Sequence, residues 1–285
     1  MALSGLDGGS AQGRADAGKP HPGRVYNALL GGKDHYLVDE EAATGIMRRH
    51  PNARRSAWAA RHFMERSAYF LARSGIDQYL DVGCGAPVEP YLQQIVRHAV
   101  PDARVVCVDN DPIVERHAEA LLKARGGRTV FVRADLADPA SILDASQIKA
   151  TLDLTRPVGL CLNNVLCFVD DAQQPHDAVT ELVDALAPGS YVTISHLTGD
   201  FCDMTDVVTA YNTTAGTGPL RLRTRSEIER FFSGLELVDP GLVACHRWRP
   251  DVVVPRLDDG SIRRMDSLEI TDAEDSKYAG VGRKV

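Results

Sequence analysis

The chain has 285 residues and a formal net charge of −7, with 44% hydrophobic and 25% charged residues. That length and composition suit one large α/β domain with a genuine core. The acidic balance argues against a nucleic acid or an anionic membrane as partner, because both are usually met by a basic field.

Residues 1–23 are rich in Gly, Ala, Ser and Asp and almost lack large apolar side chains. Such a stretch cannot offset the entropy of ordering and reads as a mobile tail, with order beginning near Arg24. It has no basic start followed by an apolar run, so no secretory signal is expected. No apolar stretch reaches the roughly 20 residues of a membrane span, and a cytoplasmic protein is expected. The six cysteines, Cys84, Cys107, Cys161, Cys167, Cys202 and Cys245, form no CxxC pair. They read as free thiols in a reducing compartment rather than as a zinc site.

Two helices are predicted before any strand. One starts after Asp39 and runs toward His50, where Pro51 forces a break. The next spans Ala53–Arg73, with Gly75 as its stop. Its residues Ala57, Ala60, Met64, Ala68 and Leu71 recur at three- and four-residue steps and mark one buried face.

Short apolar runs then alternate with amphipathic helices. The runs cover 78–82, 104–109, 129–133, 158–162 and 190–195. Asp111-Pro112 and Asp138-Pro139 each place a capping acceptor before a proline at the first helical position. Val179, Leu182, Val183 and Leu186 follow helical spacing, closed by Pro188-Gly189. Repeated strand–helix units imply a parallel sheet with right-handed crossovers and helices on both faces. Further on, helices are expected at 203–213 and 226–232, separated by the loop 215–219. Apolar runs follow at 235–238 and 242–246, then a polar stretch at 249–277 and a last strand at 278–283.

The first run ends in Asp81-Val82-Gly83-Cys84-Gly85-Ala86-Pro87. Glycines there permit a sharp turn and let a ligand approach the backbone, at the strand ends where open parallel sheets bind ligands. The next helix is expected to start near Val88 or Glu89. Asp109 ends the second run, 24 residues beyond Gly85, where a carboxylate accepts ribose hydroxyls in such sites. Asp111 serves as the cap, which leaves Asp109 for ligand. Asp135 and Leu136 after the third run suit an adenine, Asp135 at its exocyclic amine, although Asp135 equally suits a turn cap. Asn163-Asn164 after the fourth run are costly if buried without partners, and a ligand amine or carboxylate would satisfy them. A dinucleotide site favours a third glycine and a helix N-terminus for pyrophosphate; here that position is Pro87 or Val88. A ligand with ribose and adenine but no phosphates fits better, and S-adenosylmethionine is such a ligand.

Asp81-Val82-Gly83-Cys84-Gly85, Val108-Asp109-Asn110-Asp111-Pro112 and Ala134-Asp135-Leu136 resemble the motifs of Rossmann-like S-adenosylmethionine-dependent methyltransferases. More closely, the chain resembles the actinobacterial S-adenosyl methyltransferase family once catalogued as a domain of unknown function. The specific match is Arg24-Val25-Tyr26-Asn27-Ala28-Leu29-Leu30-Gly31-Gly32-Lys33-Asp34. It continues through 225–243 and ends in Tyr278-Ala279-Gly280-Val281-Gly282-Arg283-Lys284. The resemblance implies a seven-stranded, mostly parallel sheet with the last strand antiparallel and an N-terminal helical lid. It divides residues 24–285 into a lid region (24–75), a cofactor-binding core (76–200) and a C-terminal acceptor-side part (201–285). It also implies that Gly83 and Gly85 approach the methionine moiety, that Asp109 holds the ribose, and that Asp135 and Leu136 meet the adenine. Asp81, Asn110 and Asn163 join these as cofactor-side residues. The segment 26–36 would fold over the cofactor, with Gly31-Gly32 as hinge and Tyr26, Asn27, Lys33 and Asp34 in contact. The chain departs from the family pattern at Cys167, where members tend to carry a histidine, and at Asn163-Asn164, where they are more apolar.

Methyl transfer from a sulfonium is an in-line displacement that needs alignment and exclusion of water, with a base only where the acceptor must lose a proton. His35, Tyr36, His196 and Tyr211 are the candidates for that base. No metal ligand cluster is visible. A small-molecule acceptor, such as a secondary metabolite, is the first expectation. A module that binds the donor or its product without turnover is the second, and a nicotinamide-dependent oxidoreductase a distant third. The sequence leaves the oligomeric state open.

Overall fold

The computed structural model describes residues 18–124, 128–214, 220–257, 265 and 269–285. The proposed tail up to residue 17, the loop 215–219 and most of 258–268 lie outside the described residues.

Three helices precede the sheet: α1 (Pro22–Leu30), α2 (Leu37–Arg49) and α3 (Ala53–Arg73). The first is a correction to the sequence reading, which placed these residues in tail and lid. Pro22 occupies the first helical turn and Gly31 closes the helix at φ 81°. Both are standard end signals, but the helix is too short to show a clear period. The second helix starts two residues before Asp39, because the Asp39 carboxylate accepts the Tyr36 backbone N–H at 2.9 Å and so acts from inside the first turn. The five α3 residues predicted to form one face are all buried.

The strands are β1 (Gln78–Val82), β2 (Arg104–Asp109), β3 (Thr129–Arg133), β4 (Gly159–Asn163), β5 (Tyr191–Leu197), β6 (Leu235–Leu237), β7 (Val243–Ala244) and β8 (Lys277–Lys284). They form one sheet in the order β3-β2-β1-β4-β5-β8-β6, with β7 also pairing β8. Strands β1 to β5 are mutually parallel, whereas β8 runs antiparallel to β5, β6 and β7. The sheet thus has seven strands in line plus the two-residue β7, which ends where Cys245 enters a 3-10 turn.

Between the strands run α4 (Leu92–Ala99), α5 (Pro112–Ala124), α6 (Pro139–Asp144), α7 (Ser146–Thr151) and α8 (Pro175–Asp184); α9 (Thr205–Thr214), α10 (Arg225–Glu229) and α11 (Asp272–Asp275) follow β5. The helix expected at Val88 begins instead at Leu92. Pro87 and Pro90 withhold backbone donors, and the first cap bond forms where Gln94 Oε1 accepts the Tyr91 N–H at 2.7 Å.

Each sheet face carries its own core. Leu80, Val106, Leu160 and Ile194 pack with Ile142, Ile148, Leu182 and Phe231 on one side. Tyr79, Val105, Cys161 and Val281 pack with Phe63, Leu71, Ile95 and Trp248 on the other. Phe63 is fully buried and meets Trp248 edge-on at 5.4 Å between centroids. Phe63→Ala is expected to lower the unfolding free energy by about 3–5 kcal/mol, read from urea or guanidinium titration.

Candidate active site

The carboxyl ends of β1, β2 and β4, with the loop after β3, open onto a cavity of about 700 Å³, within the usual size range of small-molecule sites. Its floor is the turn after β1. Gly83 has φ 74° and Gly85 φ 68°, and a Cβ on Gly83 would stand 2.3 Å from Val165 Cγ2. A side chain there is excluded by both backbone and neighbour. The Gly83 and Cys84 N–H groups donate to the Val108 carbonyl at 2.8 and 3.1 Å. Gly85 N–H donates to Asp109 Oδ2 at 2.8 Å, and Asp111 N–H to Asp109 Oδ1 at 3.0 Å. The Asp109 carboxylate is therefore oriented by backbone on both oxygens, with lone pairs to spare toward the cavity it lines.

Asp111 fills its expected role, its Oδ1 accepting the Ile113 N–H at 2.9 Å. Its other oxygen meets Arg24 Nη1 at 3.0 Å and His21 Nδ1 at 3.3 Å. Arg24 Nε donates to Asp39 Oδ2 at 3.0 Å, and Asp39 Oδ1 accepts the His21 N–H at 2.9 Å. This buried network clamps the N-terminal segment over the cavity. Gly23 packs against the glycine turn so closely that a Cβ on it would lie 3.0 Å from Gly85 Cα.

Along the other strand ends, Asp135 accepts Asn110 Nδ2 and the Ala137 N–H, each at 2.9 Å. It caps its turn and lines the cavity at once, beside buried Leu136. Asn163 Oδ1 accepts a bond from Thr193 Oγ1 at 3.3 Å, whereas its buried Nδ2 has no partner. Asn164 Oδ1 and Ser195 Oγ are likewise buried and unpartnered, and all three residues line the cavity.

Of the remaining sequence candidates, Tyr26 lines the cavity with its hydroxyl donating to the Ala57 carbonyl at 2.9 Å. Asn27, Lys33, Asp34, His35, Tyr36, His196 and Tyr211 do not line it. Asn27 is fully buried and spends its amide on the Pro87 carbonyl, the Asp34 N–H and His35 Nδ1. Lys33 is exposed, and Asp34 pairs with His117 at 3.2 Å. Tyr36 lies outside, with the Arg24 guanidinium 5.5 Å from its ring centroid. Tyr211 packs with Cys167, Leu220 and Phe168 away from the cavity. His196 is the clearest correction to the list of bases. Its Nδ1–H donates to the Leu197 carbonyl at 2.7 Å and its Nε2 accepts from Arg223 at 2.8 Å, so neither nitrogen has a free lone pair. Burial holds its pKa down at about 3.

Sequence reading missed Lys19, His21, Gly23, Arg24, Arg61, Phe168, Gln173 and Ser195, which line the same cavity. The Pro22 start signal could have drawn attention to the first four. Arg61 sits on a helix face otherwise read as core, and nothing in its spacing marks it.

Burial is the dominant electrostatic effect. It raises Asp81 to about 7, against the opposing field of Arg61 and with Asp109 adding to the rise. Burial also raises Asp109, eased by His21. Because Asp81 is raised above its unfolded value, the folded state holds the extra proton between the two pKa values. The ligand-free protein therefore loses this contribution as pH climbs through about 7. Asp81→Asn is expected to stabilise the ligand-free protein more at about pH 8 than at about pH 5. Urea unfolding at the two pH values checks this, and an equal gain at both contradicts it.

A doubly wound sheet in this strand order, with a nucleoside-sized cavity at its carboxyl edge, defines a Rossmann-like fold of the methyltransferase type. The chain belongs to the S-adenosyl methyltransferase family, whose sequence profile matches residues 9–285. The methyl donor of that family is S-adenosylmethionine. Among solved structures, a DUF574 family protein from Streptomyces avermitilis is 40% identical with a TM-score of 0.85, covering 95% of this chain and 100% of its own. A putative methyltransferase from Thermobifida fusca is 36% identical with a TM-score of 0.83, covering 95% of this chain and 97% of its own. A comparison with curated proteins finds no match. No helix among the described residues is long and apolar enough to cross a membrane.

Proposed function

We propose that the cavity is the donor site of a methyltransferase acting on a small molecule. The observation that carries this reading is the wall itself. Asp109 is fixed by two backbone donors, while Asn163 Nδ2, Asn164 Oδ1 and Ser195 Oγ are buried polar atoms left without partners. Such atoms are costly inside a protein unless a ligand completes them.

In this reading Asp109 accepts the ribose hydroxyls, and Asn110, Asp135 and Leu136 receive the adenine. Gly83 and Gly85 admit the methionine end beside Asp81 and Asn163, and Tyr26 closes the wall. Asn27, Lys33 and Asp34 act one step back: Asn27 ties the segment after α1 to the Pro87 carbonyl. S-adenosylmethionine, when bound, supplies a methyl group already activated on sulfur. The chain supplies alignment and a water-poor wall, with Val165 packed against Gly83 and Phe168 and Val169 also lining the cavity. Proton removal is assigned to none of the four sequence candidates, all of which lie outside the wall. The acidic charge of the chain supports a small acceptor over a nucleic acid.

S-adenosylhomocysteine is expected to bind the wild type in calorimetry, and Asp109→Asn to weaken it on the order of ten- to a hundredfold, the usual worth of a charge-assisted hydrogen bond. Absence of binding to the wild type overturns the donor site. Incubation with methyl-labelled donor and a small-molecule extract is expected to label a low-mass product. Binding without any labelled product would favour a module that holds the nucleoside without turnover.

A further inference from the structure

The six cysteines are all free thiols, and their surroundings divide them. Cys161, Cys167 and Cys245 are buried, whereas Cys84, Cys107 and Cys202 keep some exposure. Cys202 stands apart from the other two, its Sγ 3.3 Å from Ser276 Oγ. Cys84 and Cys107 both line the cavity at the carboxyl edge of the sheet.

The backbone sets these two thiols side by side. Cys107 on β2 is the register partner of Asp81 on β1, and neighbouring strands lie about 4.8 Å apart. Cys84 follows Asp81 by three residues, and its N–H donates to the carbonyl of Val108 at 3.1 Å. The turn is thereby tied to β2 one residue beyond Cys107. The side chains meet as well: a hydrogen bond with the Cys107 thiol, followed by burial, holds the proton on Cys84. Among the described residues no third ligand joins them to make a metal site. Two adjacent thiols that a small oxidant can reach through a cavity are the setting of a disulfide.

We propose that Cys84 and Cys107 are a site of oxidative modification, where a peroxide forms a disulfide that shuts the donor site and a dithiol reductant reopens it. Cys107 makes the first attack, since the proton on Cys84 is held. Its sulfur takes one peroxide oxygen as the O–O bond breaks, and the other oxygen leaves as water with the thiol proton. The sulfur of Cys84 then attacks that sulfenic acid, forms the S–S bond and expels a second water with its own proton. The two thiols lose two electrons, which the peroxide gains on becoming two waters. Cys84 lies between Gly83 and Gly85, and the Gly85 N–H is one of the two donors that orient Asp109. Drawing the Cys84 sulfur onto β2 pulls the turn with it and misplaces the Asp109 carboxylate. The disulfide stands on the two thiols alone, whereas its effect rests on the donor site proposed above.

The full chain is treated with hydrogen peroxide, and the remaining thiols are then alkylated. Trypsin is expected to release peptides 74–97 and 105–116 joined, two hydrogens lighter than the separate pair, and dithiothreitol to part them. Calorimetry should show S-adenosylhomocysteine binding the oxidised chain on the order of tenfold more weakly than the reduced chain, the worth of one misplaced charge-assisted hydrogen bond at Asp109. Reduction should restore the affinity. Cys107→Ala, compared with its own untreated sample, should show no loss on peroxide treatment. Absence of the joined peptides, or their presence with unchanged binding, overturns the proposal. An equal peroxide-dependent loss in Cys107→Ala assigns the effect to other residues and overturns it too. A reduced wild type that does not bind overturns the donor site and the effect on binding with it, while the joined peptides still decide the disulfide.

Discussion

The Arg24 guanidinium, set between Asp39 of α2 and Asp111 of the turn after β2, is the contact on which the arrangement of the site depends. All three side chains are nearly inaccessible to water. Ions cannot be buried singly without a penalty of several kcal/mol each, so these groups must meet or the segments carrying them must separate. Their meeting brings the N-terminal segment, the second helix and the turn after β2 to one point. Asp111 also caps α5, and Asp109 two residues earlier holds the glycine turn, so the clamp is continuous with the cavity floor.

From this follows a division of labour among the acids at the strand ends. Asp111 and Asp39 are consumed by structure. Asp109 is oriented by structure yet retains acceptor capacity. Among the described residues Asp81 has neither a cation at bonding distance nor a backbone donor, and burial leaves it poised near neutrality. Carboxylates that look interchangeable in sequence thus differ in what they can offer a ligand, and the difference is set by which donors the fold delivers to each.

Most of the sheet was readable from the chain. Apolar runs gave β1, β2 and β3 to the residue, because β1 and β2 are largely buried inside the sheet and clear punctuation follows each strand: the glycine turn after β1 and Asp-Pro caps after β2 and β3. The weaker predictions came where local signals compete. The short α1 went unseen among glycines and small residues, and Pro87 with Pro90 delayed α4 beyond the position a glycine turn normally sets. The glycine turn, Asp109, Asp135 and Asn163 were legible as residues at the cavity edge, since each ends or closely follows a strand on the side where this topology opens. His196 and Tyr211 were not separable from a base by sequence, because a histidine with both nitrogens bonded reads the same as one with a free lone pair.

The sequence by itself determined the sheet, its parallel run of strands and the polar residues at their carboxyl ends. Local periodicity, caps and glycines act over a few residues, and those are the distances a linear reading covers. The tertiary structure alone decided which distant residues complete the site. His21 and Arg24 reach Asp111 across nearly ninety positions, and Arg61 comes from a helix that otherwise reads as core to line the cavity and bond the Val88 and Pro90 carbonyls. Charge compensation in a buried place is a property of neighbours in space, and spacing along the chain does not encode it.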